Sequence, residues 1–158
     1  MLIRQSYIDQ ITPFIDMPLV KILTGVRRCG KSTIMLLLMD ELKNKGISEK
    51  CIVRFNFDTL EWQNSDAKQV FEIIKGKLVP NERTYLFLDE IQEIEHWERL
   101  VNTFMEEAEY NVDVFVTGSN SKMMSSEIST YLTGRYVSFR VYPLSFAEYL
   151  EFRKEYGE

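Results

Sequence analysis

Five short stretches of the chain are densely apolar, and the segments between them carry apolar residues at helical intervals. Val20-Lys21-Ile22-Leu23-Thr24 reads as a buried strand, and residues 51–58, 85–90, 112–117 and 136–141 read the same way, rich in β-branched and aromatic residues. Between them, residues 32–42 place Ile34, Leu37, Leu38 and Leu42 on one helical face, with Gly46 as a stop. Asn64-Ser65-Asp66 signals the start of a helix that runs to about Leu78, with Val70, Ile73 and Ile74 inward. Residues 96–109 form a further helix, with Trp97, Leu100, Val101, Phe104, Met105 and Ala108 on one side. Ahead of the first strand, Ile8, Ile11 and Ile15 keep a helical spacing that Pro13 interrupts. Residues 118–133 are polar, with a short helical stretch at 126–132, and residues 143–150 open a last helix that Ser145 caps. Strands alternating with helices predict an α/β fold, a parallel sheet covered on both faces. Such sheets bind ligands at the carboxyl ends of their strands.

Composition narrows the class. A chain of 158 residues, 45% apolar and 13% aromatic, predicts one globular domain over residues 1–158. The net charge of −5 and pI near 5.1 give no bulk electrostatic case for nucleic acid. Cys29 and Cys51 make neither a disulfide framework nor a metal pattern, so a reducing cytoplasm is the expected compartment. No secretory signal is visible, and the longest apolar run, residues 34–39, is too short to span a bilayer.

The chemistry concentrates just after the first strand. Gly25-Val26-Arg27-Arg28-Cys29-Gly30-Lys31-Ser32 matches the P-loop pattern at every fixed position, and Thr33 follows. The glycines let the backbone turn its N–H groups onto a polyphosphate. Lys31 offers a cation to the β and γ phosphates, Ser32 a hydroxyl to Mg²⁺, and the following helix its positive dipole end. Residues 25–33 are therefore the expected nucleotide cradle.

A second half of the site is expected at Leu86-Phe87-Leu88-Asp89-Glu90, an apolar strand ending in two carboxylates. Asp89 is placed to hold Mg²⁺, largely through water, and Glu90 to polarise the attacking water. In ATPases with such a glutamate the strand after this one lies between it and the P-loop strand, which gives a sheet order of 5-1-4-3-2. The end of that later strand, Thr117-Gly118-Ser119-Asn120-Ser121, then falls near the γ-phosphate. One of Thr117, Ser119 or Asn120 is expected to sense it, and Ser119 is counted with the nucleotide-binding residues.

With these motifs in place the chain resembles the prokaryotic AAA-type ATPase family. The resemblance rests on Gly25-Val26-Arg27-Arg28, Gly30-Lys31-Ser32, Leu88-Asp89-Glu90-Ile91-Gln92, Thr117-Gly118-Ser119, Gly134-Arg135 and Tyr142-Pro143-Leu144-Ser145-Phe146. It implies a three-layer P-loop NTPase fold with ATP and Mg²⁺ as cofactors. It also implies that the chain is the N-terminal ATPase core, without the lid and the C-terminal domain that typical members carry. Arg135, just before the fifth strand, takes the place from which such proteins reach a neighbour's site with an arginine finger, so a homo-oligomer is an expected assembly. A protein or nucleic-acid partner is implied without being specified, and a membrane is not.

Two readings of function follow. One is Mg²⁺-dependent ATP hydrolysis through Glu90, Lys31 and Arg135. The other is a nucleotide-dependent interaction switch with little or no turnover. A small-molecule kinase fits less well, because residues 118–133 contain no arginine for a lid over the phosphates. Asn56 and Asp58, at the end of the second strand, are read as strand-end polar residues rather than as restraints on Glu90. His96, Trp62 and Trp97 are read as surface or packing residues.

Overall fold

The central strand, β1 (Val20–Thr24), is buried at every position. That burial needs cover on both faces, and the rest of the chain supplies it. The computed structural model describes residues 4–119 and 134–143, together with positions 132, 150, 153 and 154. Expectations for Asn120 and Ser121, for the helical stretch at 126–131 and for residues 144–149 lie outside the described residues.

Each helix ends where its local chemistry dictates. The helix α1 (Gln5–Ile11) gives way to a single 3-10 turn at Thr12–Phe14, where Pro13 offers no N–H to continue the ladder. The helix α2 (Lys31–Asn44) closes with paired bonds, Gly46 N–H to the Lys43 carbonyl at 3.0 Å and Ile47 N–H to the Leu42 carbonyl at 3.1 Å. This is a Schellman ending at the glycine expected to stop it. The helix α3 (Ala67–Lys75) begins on a capping box. Asp66 accepts the Gln69 N–H at 2.8 Å, and the Gln69 side chain accepts the Asp66 N–H at 3.2 Å. It is shorter than the sequence suggests, and Ile73 is 45% exposed, whereas Val70 and Ile74 carry the inward face. The helix α4 (Trp97–Glu106) stops before Ala108, which is exposed for that reason.

The remaining strands are β2 (Ile52–Asn56), β3 (Thr84–Asp89), β4 (Val112–Gly118) and β5 (Tyr136–Arg140). All pairings are parallel, in the order β2-β3-β4-β1-β5. Read from the other edge, this is the expected 5-1-4-3-2.

The pleat divides the core into two layers. On one face Ile22, Leu86, Leu88, Val114 and Val116 pack against Val70 and Ile74 of α3 and Trp97, Leu100, Val101 and Phe104 of α4. On the other, Leu23, Phe87, Phe115 and Phe139 pack against Ile8 and Ile11 of α1 and Ile34, Met35, Leu38 and Leu42 of α2. Trp62 and Trp97 are core residues, as read from the sequence. From β1 the chain leaves toward the β2 edge, and from β4 it passes to β5 on the other side. These opposed departures leave a crevice outside the carboxyl ends of β1 and β4.

Candidate functional site

The loop that leaves β1 enters that crevice. A Cβ on Gly25 would lie 2.4 Å from the Val141 carbonyl oxygen and 2.8 Å from Cys29 Sγ, so only glycine fits there. Gly30 takes a positive φ of 101° immediately before α2, a conformation that glycine adopts without strain. Between them, Val26, Arg27 and Arg28 are exposed and Cys29 is buried. The Cys29 carbonyl accepts Arg4 Nη1 at 2.6 Å, and Arg4 Nη2 donates to the Tyr142 carbonyl at 2.8 Å. Arg4 thus clamps the loop to the segment after β5.

Lys31 and Ser32 open α2 at the floor of the crevice. Lys31 is buried, and its ammonium donates to the carbonyls of Gly25 at 2.6 Å and Val26 at 3.0 Å. Glu90 Oε1 lies 3.9 Å from the same ammonium. Ser32 Oγ donates to Asp89 Oδ2 at 2.7 Å, across 57 residues of sequence. Thr33 follows, half-buried.

Asp89 and Glu90 leave the end of β3 in different directions. Asp89 is 1% exposed and accepts three bonds, from Ser32, from Thr117 Oγ1 at 2.6 Å and from Arg54 Nη2 at 2.7 Å. Glu90 turns into the left-handed region, at φ 55°, and Thr117 Oγ1 accepts its N–H at 2.8 Å. Such a conformation costs on the order of 1–3 kcal/mol and persists where its surroundings hold it. The Glu90 carboxylate accepts Gln92 Nε2 at 2.5 Å.

Of the residues singled out from the sequence, the loop, Lys31, Ser32, Asp89 and Glu90 converge here. Thr117 converges with them, but its hydroxyl is spent on Asp89 and the Glu90 N–H. Ser119 lies two residues on, half-buried beyond β4. The Asn56 side chain accepts the Asp58 N–H at 3.1 Å. Arg27 reaches outward, 3.4 Å from Glu93 and 3.5 Å from Asp58, with its side chain 62% exposed. Arg135 is far from its own loop. It precedes β5 at the amino end of the sheet, where it donates to Asn102 at 2.8 Å and Glu106 at 2.9 Å. Reading from the sequence missed Arg54 and Arg4, and gave Gln92 no role beyond its place in the motif. Arg54 had a visible signal, a lone cation in an otherwise apolar strand.

The donor set fits the expected ligands. Ser32 and Asp89 are hard oxygen donors in contact, which suits Mg²⁺. The described residues hold no group of three or more His, Cys, Asp or Glu able to form a protein-only metal cage. Mg²⁺ typically needs none, since it takes one or two protein ligands and completes its shell with phosphates and water.

A second charged cluster occupies the amino ends of the same strands. Lys21, with no exposed surface, donates to Asp113 Oδ1 at 2.5 Å and to the Met17 carbonyl at 2.8 Å. The Asp16 N–H donates to Asp113 Oδ2 at 2.8 Å, and Tyr85 Oη and Arg83 Nε each donate to Asp16 Oδ1 at 2.8 Å. Burial pulls the Lys21 ammonium below its usual pKa and lifts the Asp113 carboxyl above its own, each opposed by the partner's charge. Burial, followed by the bond to Asp16, pushes the Tyr85 hydroxyl up to about 12.

Comparison with known proteins places the chain and its fold. An uncharacterised protein of Haemophilus influenzae is 38% identical over 95% of the chain, and the chain covers 38% of that protein. An uncharacterised protein of Methanocaldococcus jannaschii is 33% identical over 85% of the chain, which covers 29% of it. The chain therefore spans about a third of the length of the curated relatives it matches. Among solved structures, a DNA polymerase III gamma subunit-related protein of Thermotoga maritima shares the fold. Its TM-score is 0.64 at 13% identity, over 97% of this chain and 50% of that one. Drosophila ORC bound to AT-rich DNA and Cdc6 also shares it, with a TM-score of 0.55 at 8% identity, over 90% of this chain and 56% of that one. No helix among the described residues is long and apolar enough to cross a membrane. The match that decides the family runs over residues 18–150, from just ahead of β1 to well past β5: the chain belongs to the AAA domain family and is a nucleotide-binding core of the ATPase type.

Proposed function

We propose that this core binds ATP with Mg²⁺ and hydrolyses it. The observation that carries the proposal is the contact of Ser32 with Asp89 at 2.7 Å beside a lysine that also faces Glu90. A hydroxyl, a buried carboxylate, a buried ammonium and a second carboxylate meet where a helix begins and where the strand ends open.

In this reading Lys31 exchanges the Gly25 and Val26 carbonyls for phosphate oxygens, and the N–H groups of residues 25–33 support them. Ser32 and Asp89 would hold Mg²⁺, which would supply counter-charge for the phosphates. Glu90 accepts the proton of the attacking water, and the bond its N–H donates to Thr117 Oγ1 fixes where that carboxylate starts. Arg135 contributes nothing at its own site. It serves a second copy of the chain, for which it must leave Asn102 and Glu106.

The hold of Gln92 on Glu90 favours a second reading, a nucleotide-dependent switch that turns over slowly. A carboxylate already committed to an amide is a poor base until that bond is released.

One series of measurements tests both. Lys31→Ala is expected to weaken ATP binding by roughly a hundredfold, and full affinity in calorimetry would sink the site. Glu90→Gln is expected to bind ATP normally and to hydrolyse it at least about a hundredfold more slowly than wild type. Equal rates would leave only the switch. A wild-type rate that climbs with protein concentration and loses that climb in Arg135→Ala supports action in trans.

A further inference from the structure

Arg54 is the group in this site whose presence the proposed chemistry does not explain. It sits on β2, the edge strand, one strand beyond the carboxylate it contacts. Its Nη2 is 2.7 Å from Asp89 Oδ2, the same oxygen that accepts Ser32 Oγ at 2.7 Å. Asp89 Oδ2, in contact with Ser32, would be the oxygen offered to a divalent cation, and a guanidinium already faces it.

The contact is strong in charge and poor in form. Asp89 is 1% exposed, so its negative charge is desolvated and needs a cation nearby. Arginine usually meets a carboxylate with two parallel bonds. Here one nitrogen does the work, and Arg54 Nε is buried without a hydrogen bond. The side chain is 28% exposed, which leaves it a path toward water. A single-point pair with an unsatisfied nitrogen and an open flank is one that another cation can displace.

We propose that Arg54 is a built-in counter-charge for Asp89, one that competes with Mg²⁺ for the carboxylate and so sets the metal concentration at which nucleotide is held. The proposal rests on the ATP-binding reading given above. Without metal, Arg54 neutralises Asp89 and keeps an anionic carboxylate from repelling the triphosphate. With metal, a divalent cation and a guanidinium compete for the same oxygen, and the guanidinium yields along its exposed flank. Both effects act in one direction. Arg54 strengthens metal-free nucleotide binding and weakens the response to Mg²⁺.

The test is the binding of a fluorescent ATP analogue, titrated with Mg²⁺ from EDTA upward. In Arg54→Met, which keeps the apolar stem, the half-saturating Mg²⁺ is expected to fall roughly tenfold and the affinity in EDTA to fall by a similar factor. In an Asp89→Asn background, where no Mg²⁺ response is expected, Arg54→Met should leave the affinity in EDTA unchanged, since the two residues act through one contact. Should Arg54→Met fail to fold, Arg54→Gln gives the same measurement, with the same direction expected. A half-saturating Mg²⁺ within twofold of wild type, in whichever of the two folds, overturns the role of Arg54 while leaving ATP binding intact. Failure of the wild-type chain to bind the analogue at all overturns the underlying reading, and this inference with it.

Discussion

The two ends of the sheet use the same strands and the same kinds of side chain, yet only one of them has the form of a site. At the amino end, Lys21 of β1, Tyr85 of β3 and Asp113 of β4 join Asp16 and Arg83. At the carboxyl end, Asp89 of β3 and Thr117 of β4 join Ser32, Lys31 and Arg54. The amino-end pair is sealed: Lys21 and Asp113 are 0% and 1% exposed, and each charge has a partner within 3 Å. At the carboxyl end the lysine rests on loop carbonyls, Glu90 is bent into a left-handed turn and Arg54 touches Asp89 through one nitrogen. Buried charge therefore does not identify a site. Charge with replaceable partners does.

The largest effect expected from this contrast is on stability, at the amino end. Asp113→Ala leaves the Lys21 ammonium buried beside apolar strands and strips the Asp16 N–H of its acceptor. Breaking a buried pair from one side typically costs about 3–5 kcal/mol. A urea titration should show this as a large fall in midpoint, while ATP affinity at low denaturant stays that of wild type. A loss of affinity without a loss of stability would mean that the two ends are not separate.

A smaller effect follows from Tyr85. Its pKa is raised from 10 to about 12, so between those values the folded chain holds a proton that the unfolded chain has released. Stability contributed by Tyr85 is thus whole below pH 10 and drains away as pH rises toward 12. At about 1.4 kcal/mol per unit, wild type should lose about 2–3 kcal/mol over that window relative to Tyr85→Phe. Chemical denaturation of both proteins at pH 9 and at pH 12 measures the difference. Parallel curves would show that the hydroxyl is not shifted as far as its burial and its bond to Asp16 imply.

The carboxyl end was legible in the sequence because its parts are local. Gly25 to Ser32 is one continuous run, and Asp89-Glu90 closes one apolar strand, so spacing alone singles them out. The strand order followed from likeness to ATPases with such a glutamate, once the acidic pair was placed on the third strand with a further strand after it. The amino end was not legible. Lys21 and Asp113 are 92 positions apart, and only the adjacency of β1 and β4 brings them together. Each is nevertheless a lone charge inside a strand buried on both faces, and the two have opposite signs. That pattern asks for pairing. Arg54 carried a weaker mark, a lone charge in the partly buried edge strand β2, with Asp89 35 positions away. The helices α3 and α4 stop at Lys75 and Glu106, earlier than expected, because apolar spacing continues into the turns that follow them.

Asp89→Asn gives the smallest expected change in stability and the sharpest test of the contrast. Asparagine keeps the shape, and its carbonyl oxygen can still accept from Thr117. The amide nitrogen then meets two donors, Ser32 Oγ and Arg54 Nη2. Ser32 can rotate its hydroxyl, and Arg54, 28% exposed, can turn to water, so neither is trapped. The cost should be about 1 kcal/mol, well under that of Asp113→Ala even though Asp89 and Asp113 are equally buried. The same substitution should make nucleotide binding insensitive to Mg²⁺, since the carboxylate proposed to hold the metal is gone. A cost of about 3–5 kcal/mol, matching the amino end, would show that Arg54 is locked as firmly as Lys21. It would also mean that the site has no partner ready to yield to a metal.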